Sequence, residues 1–231
     1  MLFYTIILAE VEIIIQKIRT KFENKSACQI EWDELYLIYQ TDRSRRMNEV
    51  IKTMLVRRSI RAYKDIKLTD EELFLLKQAA LSAPTAMNRN DQRFAFVSDA
   101  SVITRIENDV VEAVRDAGDT AFLERILSRN GKVIYDAPLF VGIFGKESNY
   151  AGVDAGIAVQ NLALAAKALG LDSVILGMPS LAFSGKRGEA LQKLLGVPEE
   201  FKFRIGIAIG HPAMDKDPHE WDESHVIEIK A

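Results

Sequence analysis

The 231 residues, 48% hydrophobic and 27% charged, are enough for one ordinary globular body and too few for several independent ones. Thirty basic and thirty-three acidic side chains leave a formal net charge of −3, which excludes the concentrated Lys/Arg excess that nucleic-acid binding needs. The single cysteine, Cys28, excludes an intrachain disulfide, and no C-x-x-C or tight Cys/His set suggests a metal, so a reducing, cytoplasmic setting is expected.

The apolar start MLFYTIILAEVEIIIQKIRTKF is interrupted by Glu10 and Glu12, has no basic leader before it and no small-residue cleavage site after it. It reads as neither a secretory signal nor a membrane span, and no membrane partner is expected. Residues 1–46 end in the polar run Gln40 to Arg46 and are expected to be an extension, with the main domain spanning 47–231. A helix through Glu49 to Val56 then leads into the basic run Arg57-Arg58-Ser59-Ile60-Arg61. T-D-E-E at Thr69 to Glu72 has capping-box spacing, so a second helix should run from there to about Ser82, where Pro84 breaks it. Arg93 to Val97 has the aromatic and β-branched content of a strand. Helices are predicted over Val102–Arg115 and Phe122–Leu127, and a buried strand over Leu139–Phe144.

Asp154 to Leu169 is apolar almost all round, which predicts a buried helix closed by Gly170. Ser173–Leu176 should be a strand ending at Gly177, Lys186–Leu195 a helix, and Phe203–Ile209 a last strand before Gly210-His211-Pro212. The alternation predicts a three-layer body of helices around one mixed sheet.

Motifs for the commoner chemistries are missing: there is no G-x-S-x-G, H-E-x-x-H, Walker A or G-x-G-x-x-G. The three histidines cluster near the C-terminus without metal-site spacing and read as surface residues. What remains suits an anion and a flat polar ring. Arg57, Arg58 and Arg61 with Ser59 place forked donors and a hydroxyl within five positions, which suits a phosphate, although such a run can equally complement a helix dipole. The Ser82–Gln92 loop offers amides that both donate and accept, as the edge of a flavin or a nucleobase requires, and it also fits an ordinary solvated loop.

Taken in order, these segments resemble the nitroreductase family. The resemblance runs from about Met47 to the C-terminus through R-R-S-I-R, A-P-T-A-M-N-R-N, Y-D-A-P-L-F-V, D-A-G-I-A-V-Q-N-L-A-L-A-A-K-A-L-G-L, V-I-L-G-M and I-G-I-A-I-G-H-P. It implies an α+β, three-layer α/β/α fold with a central mixed, mainly antiparallel sheet. It also implies FMN held by Arg57 and Arg61 at the phosphate or ribityl chain, with Ser59 beside them and Arg58 at the pyrimidine side. Pro84 and Thr85 would face the flavin from a partner subunit, Asn88 would bond the ring's polar edge with Asn90 close by, and Gly177 and Met178 would lie near flavin N5. Where many relatives read N-x-Q-P-W, this chain reads Asn88-Arg89-Asn90-Asp91-Gln92.

The activity implied is that of an FMN-dependent oxidoreductase in which NADH or NADPH passes hydride through the flavin to a nitroaromatic, quinone or similar small acceptor, by ping-pong kinetics. The cofactor would carry the chemistry, so no catalytic acid or nucleophile of the protein's own is expected. A homodimer with FMN at its interface follows from the resemblance, with the helix of residues 154–169 as interface core. The altered loop and the N-terminal extension leave one alternative open: a flavin-binding or regulatory protein of the same fold with little turnover.

Overall fold

The computed structural model describes residues 48–217 and 219–230; the N-terminal extension expected at 1–46 lies outside them. The described elements form the unit Val50–Ala231, with the first helix starting one residue ahead of it. In chain order they are α1 (Glu49–Val56), α2 (Asp70–Leu81), β1 (Gln92–Val97), α3 (Ala100–Asp116), α4 (Thr120–Leu127), β2 (Leu139–Lys146), α5 (Ala151–Ala168), β3 (Asp172–Leu176), α6 (Gly185–Leu194) and β4 (Phe201–Gly210).

Local chemistry accounts for most boundaries. The capping box at Thr69 is present in both directions, with the Glu72 amide donating to Thr69 Oγ1 and the Thr69 amide to Glu72 Oε2. α3 begins two residues before the expected Val102 because Asp99 caps it, accepting from the Ser101 and Val102 amides. Asp119 does the same for α4 through the Phe122 amide. β4 starts at Phe201, two residues ahead of expectation. There the buried Gln192 Nε2 donates to the carbonyls of Pro198 and Phe201 and ties the strand's start to α6.

The sheet has the order β1-β2-β4-β3 and every neighbouring pair is antiparallel. The alternation of side chains along the strands divides the core into two layers. Leu139, Val141 and Ile143 of β2 with Ile207 and Ile209 of β4 face α2 and α5, while Phe140, Val174 and Ala208 face α3, α4 and α6. Leu76 and Leu162 are fully buried between α2, α5 and the sheet; each such leucine is worth roughly 1.5–3 kcal/mol of burial. The three-layer α+β architecture is therefore as expected.

α5 needs a correction. Its apolar character predicted burial all round, yet only one face is buried, through Ala155, Ala158, Val159, Leu162, Ala163 and Ala166, whereas Gly152, Val153, Gly156 and Gln160 are exposed. Composition cannot tell a face covered by the same chain from one left open in it. Among the described residues no helix is long and apolar enough to cross a membrane.

Candidate functional site

The basic segment after α1 does not continue the helix. It runs out as an extended edge beside the sheet. Ser59 forms a parallel bridge with Ser173 of β3, and the Ile60 amide donates to the Ser173 carbonyl at 3.1 Å. Farther on, Tyr63 bridges Pro212, the Lys64 amide donates to the His211 carbonyl at 2.9 Å, and the Ala213 amide donates to the Ala62 carbonyl. Ile60 is buried and anchors the segment, while Arg61 next to it is exposed. The Tyr63 hydroxyl donates to the Ile60 carbonyl at 2.7 Å. Burial, with Asp172 nearby, pushes its phenol well above the ordinary value, so it stays a neutral donor.

Arg61 opens onto a cavity of about 750 Å3. The opposite wall is the chain between α4 and β2, with Arg129, Asn130, Lys132, Tyr135 and Asp136. The Arg61 guanidinium carbon stands 5.9 Å from the centre of the Tyr135 ring. Tyr135 and Asp136 open the Y-D-A-P-L-F-V motif, but no site role was expected of any of these five residues. Their signal was the polar, glycine-containing run Ser128-Arg129-Asn130-Gly131-Lys132 between a helix and a buried strand. Arg58, by contrast, is engaged inside the chain: its Nε donates to the Asp217 carbonyl at 3.0 Å and its Nη1 to the carbonyls of Leu55 and Arg57. Arg57 is half-buried at the end of α1, with its amide on the Thr53 carbonyl.

Gly177 and Met178 follow β3 into a short 3-10 turn, Met178–Leu181. Gly177 is exposed, and a side-chain carbon built on it would meet nothing within 4 Å, so its backbone faces open space. It lies four positions along the chain from Ser173, the partner of Ser59, or roughly 13 Å along the strand. Met178, Tyr63 and Tyr135 pack on the same core, so the cavity and the glycine lie on one side of the sheet.

The loop after α2 lies elsewhere. Gln92 opens β1 opposite Gly145, at the end of the sheet where β4 begins, and β1 is the edge farthest from β3. Asn88 and Asn90 are therefore at the corner of the sheet opposite Ser59, and a single chain does not bring the two groups together. Met87, Asn88 and Asn90 all have left-handed backbone, with φ of 55°, 51° and 54°. Asparagine tolerates this conformation and methionine does so poorly, so the loop needs external support. The support is visible. The Asn90 amide donates to Thr85 Oγ1 at 3.0 Å, Asn90 Nδ2 donates to the Asn88 carbonyl at 3.1 Å, and the Ala86 amide donates to Asp154 Oδ1 on α5 at 3.0 Å. Pro84 and Thr85 stand at the start of this loop.

The nitroreductase family model matches residues 54–211. The chain belongs to the nitroreductase family. It is 33% identical to a nitroreductase with bound FMN from Desulfitobacterium hafniense DCB-2, whose structure superposes with a TM-score of 0.75 over 80% of this chain and all of that one. It is also 32% identical to the FMN reductase (NAD(P)H) of Bacillus subtilis, over 72% of this chain and 67% of the relative. With the NADPH-flavin oxidoreductase of Vibrio harveyi it shares 28% identity, over 78% of this chain and 73% of the relative.

Two residues hold these candidate segments from behind. Asp154 holds the loop through the Ala86 amide, so Asp154→Ala should cost about 1 kcal/mol by leaving that half-buried amide unsatisfied. Denaturant unfolding would read the loss, and an unchanged midpoint would mean that water replaces the carboxylate. Glu107, on the buried face of α3, accepts the Ile134 amide at 2.9 Å and lies 3.4 Å from Lys132 Nζ. Burial pushes its carboxyl up, outweighing the Ile134 amide and Lys132, which pull it down. Between the ordinary value of 4.5 and its raised folded value, the native protein therefore holds more protons than the unfolded chain. This contribution to stability is complete below that window and is lost as pH rises through it. Glu107→Gln should flatten that part of the stability–pH curve, which thermal melts between pH 4 and 8 would reveal.

Proposed function

We propose that this nitroreductase is an FMN-dependent oxidoreductase that draws electrons from NADH or NADPH and delivers them to a small conjugated acceptor such as a nitroaromatic or quinone. The observation that carries the reading is the cavity between Arg61 and the Asn130–Asp136 wall. Its size suits a flavin, and its guanidinium, ammonium and amide groups suit the oxygens of a phosphate, a ribityl chain and a pyrimidine edge. The open backbone at Gly177 leaves room for a ring to approach the end of β3. The known FMN ligand of the Desulfitobacterium relative and the names of the two reductases point the same way.

FMN, when bound, would supply the two-electron hydride chemistry. The chain's own part is to bind and orient. Arg57 and Arg61, with Ser59, would hold the anionic chain of the cofactor, Gly177 and Met178 would border the ring, and no protein nucleophile would be needed. Donor and acceptor take turns at one open face, so ping-pong kinetics are expected. The single cysteine fits a reducing, cytoplasmic setting.

The working form is a homodimer with FMN at the interface. Three features support it: the loop at Pro84, Thr85, Asn88 and Asn90 lies too far from Arg61 in its own chain; one face of α5 is exposed; and Ile51, Met54, Phe74 and Leu81 are large apolar side chains left exposed. An absorbance spectrum of the purified protein, followed by anaerobic NADH and then NADPH, tests the function. Flavin bands that bleach support the reductase and reveal its donor. Bands that persist with both donors favour a flavin-binding role without turnover, and a colourless protein that also fails to take up added FMN defeats the reading. Light scattering should give twice the chain mass.

A further inference from the structure

The wall of the cavity opposite Arg61 is made of improbable backbone. Asn130, Gly131, Tyr135 and Asp136 have φ of 54°, 74°, 64° and 55°, so three of these four left-handed residues are not glycine. Such conformations persist only where neighbouring structure holds them. Within the segment, the Gly131 amide donates to Ile126 and the Lys132 amide to Arg129, while Ala137 bonds back to Ile134 at 3.3 Å. Beneath it Val133, Ile134 and Ala137 are buried in the core, and one side chain adds a hydrogen bond. Glu107 is 3% exposed, among the apolar residues Ile103, Ile106, Val110 and Val111 on the face α3 turns to the core. One oxygen takes the Ile134 amide and the other faces the Lys132 ammonium, which Asp136 holds from the outer side at 2.9 Å.

A buried carboxylate is an expensive way to hold one amide, because a neutral acceptor would serve. What the carboxylate adds is charge. With Glu107 and Asp136 ionised on either side of Lys132, the triad carries a net charge of −1, which offsets Arg129 on the same wall and faces Arg61 across the cavity. We propose that Glu107 is a positioning residue that keeps the Lys132 ammonium neutralised and drawn back into the wall, and so sets how strongly the site favours oxidised over reduced flavin. The proposal rests on the flavin reading above. A reduced flavin carries more negative charge than an oxidised one, so a carboxylate that offsets the cations of this wall disfavours it. Removing the Glu107 charge leaves Lys132 held by Asp136 alone, from the outer side, and lets the site favour the reduced form.

Glu107→Gln is the test, because its carbonyl can still accept the Ile134 amide and a buried charge is removed, so the variant should fold at least as well as the wild type. The readout is the ratio of the dissociation constants of oxidised and reduced FMN, measured anaerobically by fluorescence and calorimetry. That ratio should move roughly tenfold toward tighter binding of the reduced form, the size expected of one unit charge near a half-buried site. For a two-electron couple this is about 30 mV in midpoint potential. In a Lys132→Met background the same substitution should move the ratio far less, because the ammonium is gone. Glu107→Ala, which also drops the Ile134 amide, should lower Tm and weaken both forms of FMN together.

An unchanged ratio in Glu107→Gln overturns the proposal and leaves Glu107 a purely structural residue. So does a shift that keeps its full size without Lys132, since Glu107 would then act by its own charge. A wild-type protein that binds no FMN at all overturns the flavin reading itself and is distinguishable from both.

Discussion

Arg61→Ala is expected to weaken FMN binding roughly 10- to 100-fold while leaving the fold intact. Arg61 is exposed beside the cavity, and its recorded interaction within the chain is the 5.9 Å approach to the Tyr135 ring, so truncation removes little that the apoprotein uses. Toward an anionic ligand it would make charge-assisted hydrogen bonds, each worth about 1.5–3 kcal/mol, which is the source of the expected loss. Arg61→Lys should recover part of the affinity, because the charge returns and the planar fork does not. Fluorescence titration of the apoproteins with FMN reads the affinities, and their melting temperatures in the absence of flavin read the fold. Equal dissociation constants for wild type and Arg61→Ala would move the phosphate or ribityl site away from this cavity. Arg58→Ala should behave differently, lowering stability through its bonds to Leu55, Arg57 and Asp217.

The largest effect on stability is expected at a glycine of α6. Gly188 lies in the first turn of α6, where that helix folds back on the chain entering it. A β-carbon there would stand 2.2 Å from the Phe183 carbonyl carbon and 2.5 Å from its oxygen. These are backbone atoms, and Phe183 cannot step aside. Its ring stacks on Phe203 at 4.6 Å and meets Phe144 edge-on at 5.2 Å, between the sheet and α6. Gly188→Ala should therefore cost about 3 kcal/mol, at the upper end for overpacking. For a chain of this size that is roughly 6–12 °C in Tm. Gly177→Ala is the matching control: its φ of −83° is ordinary and its surroundings are open, so stability should change by less than about 0.5 kcal/mol. Calorimetry of the two variants side by side checks both, and similar melting temperatures would mean that α6 can shift on its loop.

Much of the fold was legible because the signals were local. Thr69 and Glu72 announce their helix through two hydrogen bonds three residues apart, and β2 reads as a strand because both its faces are buried. The ordered run of motifs from R-R-S-I-R to I-G-H-P carries the resemblance to the family whose model matches residues 54–211. Those same motifs singled out Arg61 and Gly177, which the structure sets on one side of the sheet. The caps at Asp99 and Asp119 were equally local and would have corrected two helix starts.

Other features depended on which segments meet, and no periodicity encodes that. Lys132 and Asn130 share a cavity with Arg61 only because the sheet order carries the α4–β2 connection to the β3 edge, some seventy positions along the chain. Glu107 sits at a core position of an amphipathic helix. Its partner, the Ile134 amide, is 27 residues away and is backbone, which leaves no trace in side-chain identity. α5 shows the same limit from the opposite side. Its sequence determines that both faces are apolar, through Ala, Leu and Gly, but only the tertiary structure decides that α2 and the sheet cover one of them. Burial depends on what packs against a surface, whereas composition records only that the surface would be better covered.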